Sequence, residues 1–323
     1  MIKKAFALFW VVALAAAAAP PGWSRAQSRG DGDVVQLDAD LVTIDITATN
    51  ARGDFVTDLK PGELKLFEDG QPREVAFFDA SSQKGLSRPL AVVLALDVSG
   101  SIKPEEIGLQ RQSAMRFVDL VRPESLFSVI TFSHEVRVLQ KFTSEARLVG
   151  RAFDKISDVG GSTRLLDTID QTITMLRKAP AIRAGRRLRR VVVVITDGYD
   201  NASVIDPTEL ARRAAAAGVT VYSITLPSYY RTLTGERARA ITILDVTRVV
   251  PATGGMDFSA DSYDFTPIFR AIAEEITASY QLAFYPPETN RRDGKFHQLR
   301  VEVTRPGVAL RASRQGYQAP AKK

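Results

Sequence analysis

The sequence has no cysteine and only two histidines, His134 and His297. Without thiols there is no disulfide, thiolate zinc site, iron–sulfur cluster, cysteine nucleophile or lipidated N-terminal cysteine. Two histidines exclude a histidine-rich metal centre, and any Ser-His-Asp triad would have to use one of them. Phosphate loops, GxGxxG turns and HExxH motifs are absent as well. Strong charge is also missing. The formal net charge is +6 over 323 residues, and Lys3, Lys4 and Arg25 supply half of it at an acid-free N-terminus. What remains is too weak for a nucleic-acid binder, which concentrates a basic patch, so no nucleic-acid partner is expected. The one dense basic stretch, Arg183 to Arg190, precedes a very apolar run and reads as a solvated loop. With 45% hydrophobic and 25% charged residues, the chain is neither disordered, collagenous nor a coiled coil.

The N-terminus has the order of an export signal. Lys3 and Lys4 precede the apolar run Ala5 to Ala19, Pro20-Pro21-Gly22 breaks it, and Ser24 and Ala26 fit a cleavage site before Gln27. Residues 1–26 are therefore expected to be a signal peptide, with an uncleaved anchor as the alternative. The run is shorter than the ~20 residues of a membrane-crossing helix. No later segment is long and apolar enough to span. The mature chain is expected to lack a transmembrane span and to be exported, periplasmic or extracellular.

Three β segments come next. Leu41 to Thr49 alternates apolar and polar residues with period two, the pattern of a half-buried strand. Glu63 to Phe67 and Arg73 to Phe78 read as two strands joined around Asp69-Gly70, a hairpin signal. A polar linker, Ser81 to Arg88, ends this β module of residues 34–80. Strands and helices then alternate. Leu90 to Leu96 and Val191 to Thr196 are continuous apolar runs, as in strands buried on both faces. Amphipathic segments between them, such as Thr163 to Lys178, read as helices. Such alternation predicts an α/β domain over residues 88–280, with a mostly parallel, doubly wound sheet. Residues 281–317 return to β pattern and are expected to pack with 34–80 as a small sandwich-like module.

Chemistry gathers at the ends of two of these strands. The first apolar run ends in Asp97-Val98-Ser99-Gly100-Ser101 and the central one in Asp197-Gly198; between them Gly160-Gly161-Ser162-Thr163 opens a helix. Ligands of an open α/β sheet bind at the carboxyl ends of its strands. Two carboxylates with neutral hydroxyls form an all-oxygen donor set that suits Mg²⁺, with Ca²⁺ or Mn²⁺ as alternatives. Few formal charges leave the ion positive, with a position open for a carboxylate from another molecule. No histidine or spare carboxylate stands ready as a general base.

The DVSGS element, a threonine at a helix start and TDG after a second apolar strand resemble the von Willebrand factor type A domain and its metal-ion-dependent adhesion site. The resemblance implies that Asp97, Ser99, Ser101, Thr163 and Asp197 hold the metal. It also implies a Rossmann-like fold. The β segments on both flanks are similar to the VWFA-related family of exported bacterial proteins. The function expected is metal-dependent protein binding, completed by an Asp or Glu of a protein partner whose identity the sequence leaves open, and no enzyme. A structural envelope protein with a vestigial site is the alternative, and a metal-dependent hydrolase a weaker one.

Other residues read more plainly. Asp200 is expected to be a turn residue, with support of the site as the alternative. Asp167 either orients the loop or stabilises its helix start. His134 and His297 read as surface or structural residues. The two Arg-Gly-Asp tripeptides at residues 29–31 and 52–54 suit turns, and Asn201-Ala202-Ser203 is a glycosylation sequon in form only. Tyr229, Tyr230 and Arg231 are expected in a long loop, which could belong to a partner surface.

Overall fold

The structure is a computed structural model that describes residues 41–80, 88–100, 104–121, 124–156, 160–226, 229–231, 233–234, 236–239, 241–260 and 264–322. The expected signal peptide and Ser101 lie outside these residues. In chain order the strands are β1 (Val42–Asn50), β2 (Leu64–Glu68), β3 (Gln71–Arg73), β4 (Phe77–Asp79), β5 (Leu90–Asp97), β6 (Leu126–Phe132), β7 (Val136–Thr143), β8 (Ile182–Arg183), β9 (Arg186–Arg187), β10 (Arg189–Thr196), β11 (Val219–Thr225), β12 (Tyr229–Arg231), β13 (Arg237–Arg239), β14 (Asp257–Ser259), β15 (Tyr280–Phe284), β16 (Phe296–Val303), β17 (Val308–Ala312) and β18 (Gly316–Gln318). The helices are α1 (Pro104–Leu120), α2 (Ala146–Phe153), α3 (Leu165–Lys178), α4 (Pro207–Ala217), α5 (Ile243–Thr247), α6 (Val249–Ala252), α7 (Thr266–Ala278) and α8 (Glu288–Arg291).

The fold is α/β. A six-stranded sheet runs in the order β14-β11-β10-β5-β6-β7, parallel except for β7. Its two central strands explain the continuous apolar runs. Side chains of a strand alternate between faces, so Leu90, Val92, Leu94 and Leu96 of β5 enter the core under α1, α2 and α7. Ala91, Val93 and Ala95 enter the opposite core, under α3 and α4. Both faces are dry, so every position must be apolar. Helix α4 has clear ends: Asp206 accepts from the Thr208 and Glu209 amides, and Gly218 closes it at φ 62°.

Flanking this layer is a β-sandwich of two antiparallel sheets, β17-β1-β15-β4 and β18-β16-β2-β3. Strand β1 pairs with β15 and β17 from the far end of the chain, Val42 facing Phe284 and Ile46 facing Ala312. Ile44, Ile46, Leu66, Tyr280, Leu282 and Phe284 fill the space between the sheets. The Tyr280 hydroxyl donates to the Val56 carbonyl at 2.7 Å and accepts from the Leu59 amide at 3.0 Å, so its polar end is satisfied.

Two expectations are corrected here. The single strand expected over Arg73 to Phe78 is two strands in different sheets. Asp69 and Gly70, at φ 50° and 79°, make a tight turn that folds β3 onto β2. The chain then crosses the sandwich, so β4 pairs with β15 and Phe78 stacks on Tyr280 with ring centroids 5.5 Å apart. Secondly, Arg183 to Arg190 is no solvated loop. Ala184 and Gly185 turn a short β8–β9 hairpin, and Arg189 opens β10 with only 3% of its surface exposed.

Arg189 is buried because partners from distant elements surround it. It donates to Ser279 Oγ at 2.7 Å and to Tyr222 Oη at 3.3 Å, and lies 3.6 Å from Asp45 Oδ2. Arg88 contacts the other Asp45 oxygen at 2.5 Å and donates to the Arg187 carbonyl. Burial pulls the Asp45 carboxyl upward, but Arg88 and Arg189 outweigh it and hold the group below the usual carboxylate range. Asp45→Ala would strand a buried guanidinium. It is expected to cost about 3–5 kcal/mol, read as a lower urea midpoint.

In the sandwich His297 is 5% exposed, its ring stacked on Tyr317 at 5.2 Å. Asp69 lies 2.7 Å from Nδ1 and Asp293 3.1 Å from Nε2, so an imidazolium donates to both. Burial opposes that charge, yet the two carboxylates raise the pKa above its ordinary value. The raised value means that this stabilisation is complete below the unfolded pKa, ~6.5, and is lost as pH rises through the folded one. The same two contacts lower the pKa of Asp69 against burial, and help to lower that of Asp293, where the Lys295 amide contributes most. Stability measured by urea unfolding is expected to fall as pH rises above about 6.5, with a flatter profile in His297→Gln.

Candidate functional site

At the carboxyl edge of the sheet, β5 ends in Asp97 and its neighbour β10 is followed by Asp197. Both are buried, at 0% and 4% exposure, although loops follow each. Asp97 Oδ1 accepts from the Ser99 amide at 2.8 Å, curling the chain back on itself, and Oδ2 accepts from Thr196 Oγ1 at 2.6 Å. Thr196 in turn accepts from the Gly198 amide at 3.0 Å. Asp197 Oδ1 accepts from the Tyr199 amide at 3.1 Å. The ends of both strands thus belong to one hydrogen-bonded unit.

The glycine loop hangs on the same unit. The Gly160 amide donates to the Val98 carbonyl at 2.7 Å, and the Gly100 amide to the Gly161 carbonyl at 3.4 Å. Gly161 has φ +90° and lies over His134, whose Nδ1 would stand 2.7 Å from any Cβ there, so only glycine fits. Thr163 follows, 4% exposed, before α3 begins. Of the five residues chosen from the sequence, Asp97 at the end of β5 and Ser99, Thr163 and Asp197 in loops are all buried; Ser101 lies outside the described residues.

Residues after Asp197 do more than turn the chain. Asn201 grips Thr163 on both sides: its Oδ1 accepts from the Thr163 amide at 2.9 Å and its own amide donates to the Thr163 carbonyl at 3.1 Å. Sequence reasoning missed this role, having weighed Asn201 only as a glycosylation site. The signal available was an Asx residue four positions past a strand-end aspartate. Asp200 accepts from the Leu166 amide in the first turn of α3 and from Ala202 and Ser203 within its own loop. It is both turn residue and support. Asp167 accepts from the Val204 and Ile205 amides and pairs with Arg164. Asp167 thereby ties α3 to the loop after β10, so it orients that loop.

Burial dominates the electrostatics of Asp97. The carboxyl of Asp97 is pushed up to about 6, first by burial and further by Asp197, against the hydrogen bonds from Ser99 and Thr196. No cation is among the groups that set this value. Two buried carboxylates with hydroxyl-bearing residues beside them are the donor chemistry that a hard divalent cation fits. Among the described residues no cluster of three His, Cys, Asp or Glu could hold a metal. Any metal here therefore needs the hydroxyls.

Residues 91–238 match the family model for the von Willebrand factor type A domain. This stretch is a von Willebrand factor type A domain. Human matrilin-3 is 25% identical over 147 residues, 43% of this chain and 29% of that protein. The chain spans less than a third of the length of the curated relatives it matches. Among solved structures, a von Willebrand factor type A protein from Catenulispora acidiphila aligns at TM-score 0.48 and 12% identity, over 87% of this chain and 74% of that one. Proximal thread matrix protein 1 from the mussel byssus, described with a zinc-occupied MIDAS motif, aligns at TM-score 0.47 and 17% identity, over 60% and 47%.

Asn201→Ala removes the side-chain acceptor of the Thr163 amide in this domain and leaves the backbone bonds to the Thr163 carbonyl in place. It is expected to cost about 1–3 kcal/mol by urea unfolding and to speed hydrogen exchange at the Thr163 amide, with no change at Ile44 in the sandwich.

Proposed function

We propose that the chain is an exported, metal-dependent protein-binding module. In this reading Asp97, Ser99, Ser101, Thr163 and Asp197 hold Mg²⁺, Ca²⁺ or Mn²⁺ being the alternatives. An Asp or Glu of a protein partner completes the coordination. The observation that carries the reading is the pair of buried carboxylates at neighbouring strand ends, with the Asp97 carboxyl raised by burial and by Asp197, and with a Ser and a Thr in the loops beside them. A cation bound there would favour the ionised form of Asp97 against its burial. The expectation of export rests on the sequence of residues 1–26. Among the described residues no helix is long and apolar enough to cross a membrane.

The same inventory favours binding over turnover. A hydrolase would need a base positioned beside the open coordination place. Of the two histidines, His297 is committed to Asp69 and Asp293 in the sandwich, and His134, beneath Gly161, meets Ser133 Oγ at 3.2 Å.

Titration calorimetry with MgCl₂ is expected to show one site per chain. Mg²⁺ at a hundred times its dissociation constant raises unfolding stability by about 2.7 kcal/mol. Asp97→Ala is expected to remove the heat and the stabilisation together. EDTA and Asp97→Ala should each release partners captured from the native envelope fraction while leaving the fold intact. Capture that persists without metal, or no heat with any divalent cation, overturns the reading.

A further inference from the structure

Beside the metal-site loops the described residues enclose an open cavity of about 220 Å³. Most of its exposed lining is apolar, with Val98, Leu139 and Ile156 contributing, but Ser133, His134 and Glu135 also line it, and the exposed Arg137 and Lys155 stand at its rim. Val98 lies between Asp97 and Ser99, and its carbonyl holds Gly160, another wall residue, at 2.7 Å. Ser133, also in the lining, accepts the Arg164 amide through its carbonyl at 3.1 Å, one residue from Thr163. Cavity and candidate metal site thus share their walls.

Size and charge narrow what can enter. A cavity of about 150 Å³ takes a benzene, whereas cofactor and drug-sized sites start near ~300 Å³. The cavity therefore has room for one phenyl-sized side chain and not for a cofactor. At the rim Arg137 pairs with Glu135 at 2.5 Å, and Lys155 donates to the Leu139 carbonyl at 3.2 Å. One cation of the two is thus left without a carboxylate partner among these rim groups, which favours an acidic peptide segment and disfavours a basic one. Val98 of this wall lies between two candidate ligands in the chain, and successive residues of an extended peptide are about 3.3 Å apart, so the neighbour of a coordinating residue is the one to test against this wall.

We propose that the cavity is the specificity pocket of the binding site, taking an apolar side chain of phenylalanine or leucine size from the residue adjacent to the partner's coordinating Asp or Glu. This rests on the metal-site reading above and adds a sequence preference to it. The metal sets the need for an acid, and the cavity selects which acid by its neighbour.

The probes are N-acetyl-Phe-Asp-amide, N-acetyl-Ala-Asp-amide and N-acetyl-Phe-Asn-amide, titrated into the full chain with Mg²⁺ and followed by methyl NMR of Val98, Leu139 and Ile156. The Phe-Asp probe is expected to bind about tenfold or more tightly than Ala-Asp, as burial of a phenyl ring implies, and to shift all three methyl sets. Phe-Asn should lose the metal-dependent part. Leu139→Trp fills the cavity and is expected to bring Phe-Asp down to the Ala-Asp affinity with Mg²⁺ binding unchanged. Ile156→Phe is the second filling variant should the first not fold. Mg²⁺ binding with equal affinity for Phe-Asp and Ala-Asp overturns the pocket alone. Absence of Mg²⁺ binding overturns the metal reading and the pocket with it.

Discussion

A buried charged seam joins the two halves of this molecule, and the placement of everything else follows from it. Asp45 of β1 lies against Arg88 and Arg189; Arg189 reaches Tyr222, Tyr222 donates to Glu275 at 2.8 Å, and Glu275 meets Arg311 of β17 at 2.5 Å. Desolvating such groups is costly, and an apolar seam would give equal or greater stability. What charges add is direction, because each oxygen has one set of donors that fits. The sandwich can therefore dock on the α/β sheet in one orientation. Arg189 is at the first residue of β10 and Asp197 just past its last. Eight residues of strand separate the seam from the candidate site by about 26 Å, leaving the carboxyl edge clear of the sandwich.

At that edge, control passes from packing to hydrogen bonds. Strand ends fix Asp97 and Asp197, but Thr163 sits in a loop and owes its position to Asn201, while Asp200 and Asp167 hold α3 against the loop after β10. These contacts are made largely to backbone amides, so they set distances without neutralising the site. The electrostatic imbalance at Asp97 is preserved by a scaffold that stabilises the loops around it.

How much was legible in the sequence depended on how far apart the interacting residues lie. Period-two and continuous apolar patterns are local, and they located β1, β5, β10 and the α/β class correctly. The strand-end positions of Asp97 and Asp197 were also legible, because they follow from the strands. Arg189 was misread because its partner Asp45 is far away in the chain and no window contains both. The β3–β4 split was hidden for the same reason: only pairing with β15 shows that Phe77 to Asp79 has left the hairpin. Strand β18 is three residues long, and it exists as a strand through its pairing with β16.

The pairing of Val42 with Phe284 has a consequence for how the chain is made. Roughly 240 residues separate these partners, which at ribosomal rates is about 12–48 s of synthesis. Through that interval β1 has neither neighbour, whereas β5, β6 and β10 already have theirs. The α/β layer can collapse on its own contacts before the sandwich closes over it. A half-finished molecule therefore carries a strand naked on both edges, and whatever escorts the nascent chain must shield it until β15 and β17 arrive.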